Sequence, residues 1–360
     1  MKIFGKEFNF KKYLFYKYQD EMVVTKVILG IKFSYSRGIY YQDFITFLKY
    51  VMPQLEDKEA ADRLIRDFST KTGRKRIGFK EYTQDENKLR AVIDALDPSL
   101  LPPATGAIRQ IQQERLNFAR EVVEDIENNC GLKPFLDDGS LLGAVRHKGF
   151  IPWDDDMDFS LMREDFIKLE EYLKSRYIWC DTSEWDKTSY SKNIHAFLRQ
   201  HPNQIFVTKS PTCLKVLCGT EQSYNTCDFF ALDYYDDYMD VVTLQKYAAE
   251  MKSKYSWNKK MKYKLWFDLY QNELANNKLL ARESSSISVG VDNFDFWNYS
   301  IKGMRRKTDI FPLKKVVFED AEFYAPNNPH EYLKTIYSYY NKLPFDLRIG
   351  KHSAAAISLN

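Results

Sequence analysis

The stretch DDGSLLGAVRHKGFIPWDDDMDF, residues 137–159, sets four aspartates into the five positions 154–158, behind a Gly-Ser pair and an Arg-His-Lys cluster. Like charges at this density repel, so a folded chain either solvates them or places something positive between them. Apolar residues frame these acids: Phe150, Ile151, Pro152 and Trp153 before them, Phe159 and Leu161 after. Such a frame puts the aspartates at the rim of a core rather than on a solvated turn. In an extended segment Asp154, Asp156 and Asp158 share one face, and Asp155 and Met157 point the other way. Carboxylates grouped in this way suit Mg2+ (or Mn2+), which keeps water and phosphate oxygens in its shell.

A calcium loop starting at Asp154 would demand Gly at position 159 and Glu at 165. The chain has Phe159 and Asp165 there, so a helix-loop-helix calcium site is excluded. Gly139 and Ser140 stand at the expected start of a helix, where free backbone N–H groups attract phosphate. Arg146, His147 and Lys148 follow within the same helical stretch and are candidates to meet the same anion. A metal pair needs a further carboxylate from elsewhere in the chain. Asp228, opening the apolar run FFAL, is the first choice and Asp233 the second; a strand-end aspartate that merely caps a turn is the plain alternative.

Composition narrows the class. Aromatic residues reach 16% of the 360, which argues for a well-packed globule and against disorder. A net charge of +3 gives no electrostatic case for nucleic-acid binding. The first 37 residues carry eight Lys/Arg against three acids, and 252–264 form a lysine-rich run without an acid. The basic, aromatic start is compatible with contact to an anionic membrane surface. It lacks the apolar run and cleavage site of a signal peptide, and no segment reaches the ~20 apolar residues of a membrane span. Five cysteines with no CxxC pair fit a reducing cytoplasm; Cys213, Cys218 and Cys227 read as buried small residues rather than zinc ligands.

Along the chain, 22–36 reads as a short hairpin or extended lead-in and 40–96 as several short helices. The Pro- and Gly-punctuated DPSLLPPATG (97–106) marks a boundary between an extension, 1–105, and a second domain, 106–360. A long amphipathic helix then runs to Cys130 and Gly131, and short strands are expected at PFLDD and MDFSLM (157–162). REDFIKLEEYLKSR reads as a helix buried on Phe166, Leu169 and Leu173. Short β-like runs fill 177–232 and end in CDFFAL (227–232). A lysine-rich helical stretch over 240–283 follows, then a helix around 294–304, a hairpin in KKVVFEDAEFYAPNN and a helix from PHEYLK. Near Trp257, Tyr263 and Trp266 the helical stretch could offer aromatics to a sugar or pack Leu265, Leu269 and Leu274 on the core; packing is the simpler reading. Interleaved strands and helices give an α+β or mixed α/β domain behind a helical extension.

The string LLGAVRHKGFIPWDDDMDF, with Asp-Gly-Ser just upstream, resembles the LicD family, which includes the fukutin-related proteins. CDFFALD (227–233) and VVFEDAEFYAPNNPHEYLKTIYSYYNKLP, with His352 beyond it, are similar to later blocks of that family, so the likeness covers about 108–352. The resemblance implies an α+β, nucleotidyltransferase-like fold of the DNA polymerase β type, a mixed-sheet core with many added helices. It implies a phosphotransferase moving phosphocholine from CDP-choline, as the leading case, to a hydroxyl of a surface glycan or glycolipid with release of CMP. Such an enzyme works in the cytoplasm or at the inner face of the membrane. Carried over residue by residue, Gly139 and Ser140 form the phosphate turn, Asp156 and Asp158 hold metal, Asp154 is a third acidic position and Asp228 the distant carboxylate. Asp228 is also the candidate acceptor of the hydroxyl proton. Arg146 and Lys148 would face the leaving nucleotide, His147 being a hydrogen-bonding neighbour; His352 reads as incidental. The first hundred residues exceed the family core, and the cysteines do not reproduce the zinc site of the fukutin-related branch. A nucleotidyltransferase proper, or a non-catalytic glycan-binding relative, are the other readings.

Overall fold

The computed structural model describes residues 97–101, 103–244, 246, 247, 250, 260–293, 304–337, 340 and 341, with strands in the first 36 residues and residues 59 and 66. Apart from residues 59, 66 and 304, the helices expected over 40–96 and around 294–304, together with Trp257 and His352, lie outside the described residues. Contacts divide the chain into one unit of Met1–Leu101 with Asn341–Lys351 and another of Pro102–Tyr340 with His352–Asn360. In the first unit β1 (Lys2–Ile3) pairs with β2 (Lys6–Glu7). β3 (Phe15–Asp20), β4 (Val23–Ile28) and β5 (Ile31–Ser36) form an antiparallel meander.

The second unit is mixed α/β, built on one ten-stranded sheet of mixed direction. Its first helix, α1 (Gly106–Cys130), buries Leu116, Ala119, Val122, Val123 and Ile126, the stripe that 3.6-residue periodicity dictates. Gly131 ends it in the left-handed conformation, φ 70°, which costs a glycine little. The chain then enters β6 (Phe135–Leu136), α2 (Asp138–His147), β7 (Asp158–Met162) and α3 (Arg163–Arg176). As its spacing requires, α3 buries Phe166, Leu169 and Leu173. β8 (Ile178–Cys180), α4 (Tyr190–Gln200), β9 (Phe206–Lys209), β10 (Leu214–Gly219) and β11 (Tyr224–Tyr235) follow. Helix α4, buried on Ile194 and Leu198, stands where sequence suggested only β-like runs. Its apolar positions Tyr190, Ile194, Phe197 and Leu198 fall at i, i+4, i+7 and i+8, so the helical period is present in the sequence.

Helix α5 (Tyr263–Asn276) turns Tyr263, Trp266 and Tyr270 inward. Leu265 is exposed, Leu269 is half-buried and Leu274 packs on a core cluster, while the aromatics belong to a core cluster with Trp185 and Tyr190. This removes Tyr263 and Trp266 as a sugar platform. β12 (Ser286–Val289), β13 (Arg305–Arg306), the hairpin of β14 (Lys314–Phe318) and β15 (Ala321–Ala325), and α6 (Pro329–Ile336) complete the unit.

The sheet runs β14-β15-β6-β7-β11-β10-β9-β8, with β12 on β11 and β13 on β12. β7 and β11 are parallel neighbours at its centre, and Asp158 lies opposite Asp228. Cys227–Asp233 is buried throughout, as expected of a central strand covered on both faces. Phe159 stacks on Phe229 with ring centroids 5.5 Å apart, locking the two strands face to face. The edge strand β14 exposes Lys314 and Lys315, which discourages pairing with another chain.

Where β7 passes into α3, Arg163 forms forked hydrogen bonds with Asp233 at 2.8 and 2.9 Å and with Asp292 at 2.7 and 2.8 Å. Burial would weaken the guanidinium's hold on its proton, but the two carboxylates more than offset this and raise its pKa. Asp233, which also accepts the Val291 N–H at 2.9 Å, is thus a structural anchor rather than a metal ligand. Arg163→Ala, leaving two buried carboxylates without their cation, should lower the unfolding free energy by about 3–5 kcal/mol in urea denaturation. Added Mg2+ should not restore the loss.

Candidate active site

The site begins where β6 ends. Asp137 caps α2: its Oδ1 accepts the Asp138 N–H at 2.7 Å and its Oδ2 accepts the Ser160 hydroxyl. The Asp137 N–H donates to the Asp158 carbonyl at 3.0 Å, tying the helix start to β7. Asp138 then takes φ 40°, an uncommon conformation for a residue with a side chain. Gly139 comes next; a Cβ there would sit 2.6 Å from Asp154 Oδ2, so only glycine lets the helix start and the aspartate loop approach this closely.

Ser140 serves the aspartates directly. Its hydroxyl accepts the Asp158 N–H at 2.9 Å and donates to the Asp156 carbonyl at 3.3 Å. Ser140 is buried, and its hydroxyl fixes the backbone between two acids. The loop is also held from α1. Gln112 Nε2 donates to the Asp154 carbonyl at 2.8 Å, and Arg115 Nη1 to that of Asp155. Arg115 also pairs with the Asp155 carboxylate at 3.4 Å. The expected alternation holds, although 154–157 lie just before the strand: Asp155 and Met157 are buried inward.

Asp154, Asp156 and Asp158 line one cavity of about 660 Å³ together with Asp138, Gly139 and Asp228. Its other wall includes Arg115, Lys215, Tyr190, Tyr224, Thr226 and Tyr337. Burial, then the charge of Asp156, raises the pKa of Asp154 well above the carboxylate range. Burial, then Asp156, Asp138 and Asp154, does the same to Asp158, against an opposing pull from Lys215. Asp138 is pushed up to about 7 by burial and by Asp137, with Arg305 opposing. Five carboxylates against two cations leave this cavity short of positive charge.

Asp228 is where two parts of the chain meet. β11 places it beside Asp158, and β10 places Lys215 directly opposite it. The Lys215 ammonium pairs with Asp228 Oδ2, while Thr226 Oγ1 donates to Oδ1 at 3.0 Å. Among the described residues no three His, Cys, Asp or Glu side chains converge as a ready metal cluster. In donor chemistry, however, the lining fits a hard divalent ion: every candidate ligand is a carboxyl oxygen, and five carboxyl groups face two cations.

The structure does not bring Arg146, His147 and Lys148 to the cavity wall. They occupy the last turn and cap of α2, roughly 12 Å along the axis from its start at 1.5 Å per residue. Arg146 Nε donates to His147 Nε2 at 2.9 Å and Nη1 to the Tyr340 carbonyl at 2.8 Å. Burial lowers the Arg146 pKa to about 10. The cations that do line the cavity, Arg115 and Lys215, were not singled out from sequence. A lysine inside the apolar run LKVLC was the available signal for Lys215. A second cavity of about 1120 Å³ lies at the opposite end of β7 and β11, lined by Met162, Arg163, Asp233, Tyr234 and Lys307 among others. Its charges are largely committed to one another: Arg163 to Asp233 and Asp292, and Lys307 to Glu283. All five cysteines are free, three of them buried. Among the described residues no helix is long and apolar enough to cross a membrane.

Comparison with known proteins bears on these residues. Residues 131–275 match the family described as LicD/FKTN/FKRP, nucleotidyltransferase domain, a span that includes Gly139, the aspartate loop, Lys215 and Asp228. The chain is 23% identical over 231 residues to the lipopolysaccharide cholinephosphotransferase LicD of Haemophilus influenzae, covering 58% of this chain and 82% of that protein. It is 35% identical over 88 residues to the ribitol 5-phosphate transferase FKRP of Mus musculus, covering 21% of this chain and 18% of the relative. An uncharacterized protein of Rickettsia typhi is 33% identical over 91 residues, 21% of this chain and 29% of its own length. The chain therefore spans under a third of the rickettsial and murine relatives. The family match covers less than half of this chain, the stretch from Gly131 to Ala275 that carries most of the cavity's carboxylates.

Proposed function

We propose that this protein is a divalent-ion-dependent phosphotransferase that moves a substituted phosphate from a CDP-activated donor to a hydroxyl of a glycan, with phosphocholine from CDP-choline as the leading case. The observation that carries this reading is the electronegative cavity, in which Asp158 and Asp228 stand side by side on parallel strands with Asp154 and Asp156 beside them. The relatives' names, a cholinephosphotransferase and a ribitol 5-phosphate transferase, point to one class of transferred group. The helix start at Gly139, the strand-borne Asp158 and the carboxylate on the next strand follow the order expected of a polymerase β type core. Catalysis belongs on this reading to residues 106–360, with 1–105 an extension, and to the cytoplasm or the inner face of a membrane.

Asp156 and Asp158 would hold Mg2+ or Mn2+, flanked by Asp154 and Asp228. When bound, such an ion neutralises diphosphate charge. The chain's own groups do the rest. Ser140, Gln112 and Arg115 fix the loop so that the acids cannot splay apart. Gly139 keeps the helix start close to the loop. In the transfer, the acceptor oxygen bonds to the phosphorus bearing the substituent. The bond from that phosphorus to the bridging oxygen breaks, and CMP leaves with the electron pair. The hydroxyl proton passes to a cavity carboxylate, Asp228 being the candidate.

Incubating the protein with Mg2+ and CDP-choline, or a CDP-linked polyol, should release CMP when a glycan acceptor is present. Pyrophosphate in its place would indicate nucleotidyl transfer, and neither product a binding protein. Asp156→Asn and Asp158→Asn should each lower transfer at least about a hundredfold. Mn2+ should raise the melting temperature of the parent protein but not of these variants. Gly139→Ala, which drives a methyl group into the Asp154 carboxylate, should lower transfer and weaken the Mn2+-induced stabilisation together.

A further inference from the structure

Among the described residues two cationic side chains line the carboxylate cavity, Arg115 and Lys215. Arg115 is committed to the backbone and carboxylate of Asp155, whose side chain turns inward, away from the cavity. Lys215 is different. It stands opposite Asp228 in the β10–β11 ladder, and Asp228 stands opposite Asp158 on β7. One lysine and two aspartates thus form a row across three adjacent strands, open on the cavity.

Lys215 lies between Leu214 and Val216, both fully buried, in a strand otherwise apolar up to Gly219. A lysine in such a run has to be compensated, and Asp228 compensates it. A pair needed for folding alone could face either side of the sheet. This one faces the side that holds Asp154, Asp156 and Asp158, and its field reaches Asp158. With Lys215 on Oδ2 and the Thr226 hydroxyl on Oδ1, both oxygens of Asp228 are engaged.

The geometry points to Lys215 as a catalytic cation that holds the place of a second divalent ion, pairing with Asp228 while a further acceptor site on that carboxylate stays open to the acceptor hydroxyl, and presenting its ammonium to the transferred phosphoryl group. This rests on the phosphotransfer reading above and sharpens it. The site binds a single divalent ion at Asp156 and Asp158, and Asp228 is kept out of the ion's shell by the lysine. In two-ion sites the pair of cations clamps both the attacking and the leaving oxygen. An ammonium on a flexible stem supplies the same charge at one of those positions without needing a ligand set. Two cations competing for one carboxylate exclude each other, so the lysine also fixes the number of ions.

Mn2+ binding to the full chain, followed by electron paramagnetic resonance with Mn2+ alone as the probe, tests this. The parent protein should bind a single tight Mn2+. Lys215→Met should gain a second, or bind the first about tenfold tighter or more, while losing transfer activity. Lys215→Arg should keep single-ion binding and recover part of the activity. Asp228→Asn, which retains shape and removes the contested charge, should leave Mn2+ affinity near that of the parent protein; a tenfold loss would make Asp228 a ligand and overturn the assignment. Two Mn2+ ions in the parent protein, or unchanged stoichiometry and affinity in a folded Lys215→Met, would also overturn it while leaving the phosphotransfer reading intact. No Mn2+ binding by the parent protein at all would sink that underlying reading, and the lysine assignment with it.

Discussion

Repulsion among carboxylates that the fold forces into one cavity is the constraint on which the rest of this structure turns. Neighbouring strands lie about 4.8 Å apart, and two full charges at that separation repel by roughly 3 to 4 kcal/mol at an effective dielectric of 20. Asp158 and Asp228 occupy this relation on β7 and β11, and Asp138, Asp154 and Asp156 add to it from the same cavity. Such an arrangement persists only if the backbone is pinned more firmly than the charges push. The pins are visible. Ser140 spans Asp156 and Asp158, Gln112 holds the carbonyl of Asp154, and Arg115 holds Asp155. Each is a hydrogen bond to the main chain, which leaves the carboxylates turned toward the cavity rather than neutralised by their scaffold.

The same logic separates the two ends of the central strands. At the far end, Arg163 meets Asp233 and Asp292 in a closed set of forked bonds, and the charge is spent on joining α3, β11 and the turn at Val291–Asn293. At the near end five acids face two cations, and one of those cations serves the loop from behind. A larger volume at the closed end therefore means less than a smaller one at the open end. What marks a reactive cavity here is unbalanced charge held in place by hydrogen bonds to the main chain.

Much of this was legible in the sequence. The aspartate run, its apolar frame and the alternation of Asp154, Asp156 and Asp158 against Asp155 and Met157 follow from chain geometry, and they hold even though β7 begins only at Asp158. Asp228 could be chosen because an acid at the mouth of an apolar strand is costly without a partner. What could not be read are relations set by register and by helix direction. Arg146 and Lys148 looked like anion ligands by proximity in sequence, yet a helix that starts at the cavity carries its last turn away from it. That the Ser140 hydroxyl would bridge the backbone of Asp156 and Asp158 was likewise not visible, because it depends on where β7 lies against the start of α2. The run LKVLC marks Lys215 as a lysine needing a partner, but that the partner is Asp228 follows only from the pairing of β10 with β11. The inward face of α5 was misjudged for a related reason: Tyr263, Trp266 and Tyr270 share the i, i+3, i+7 stripe, and the larger aromatic rings outcompeted Leu265 for the core.

The boundary of the family match adds a last step. The matched span begins at residue 131, after α1 has ended. Yet Gln112 and Arg115, which hold the aspartate loop, both come from α1, and Tyr337, which lines the cavity, lies far beyond residue 275. The hairpin of β14 and β15 likewise contributes Phe323, which packs on Phe159 at 5.6 Å directly behind the strand that carries Asp158. The matched stretch therefore supplies most of the cavity's charge but not the means of keeping its loop in place. Removing α1 would strip the loop of two of its anchors and leave mutual repulsion free to spread the acids. The smallest part of this chain that can hold the site together must reach from α1 through Tyr337, which makes the acidic string a passenger of a larger scaffold rather than a self-sufficient motif.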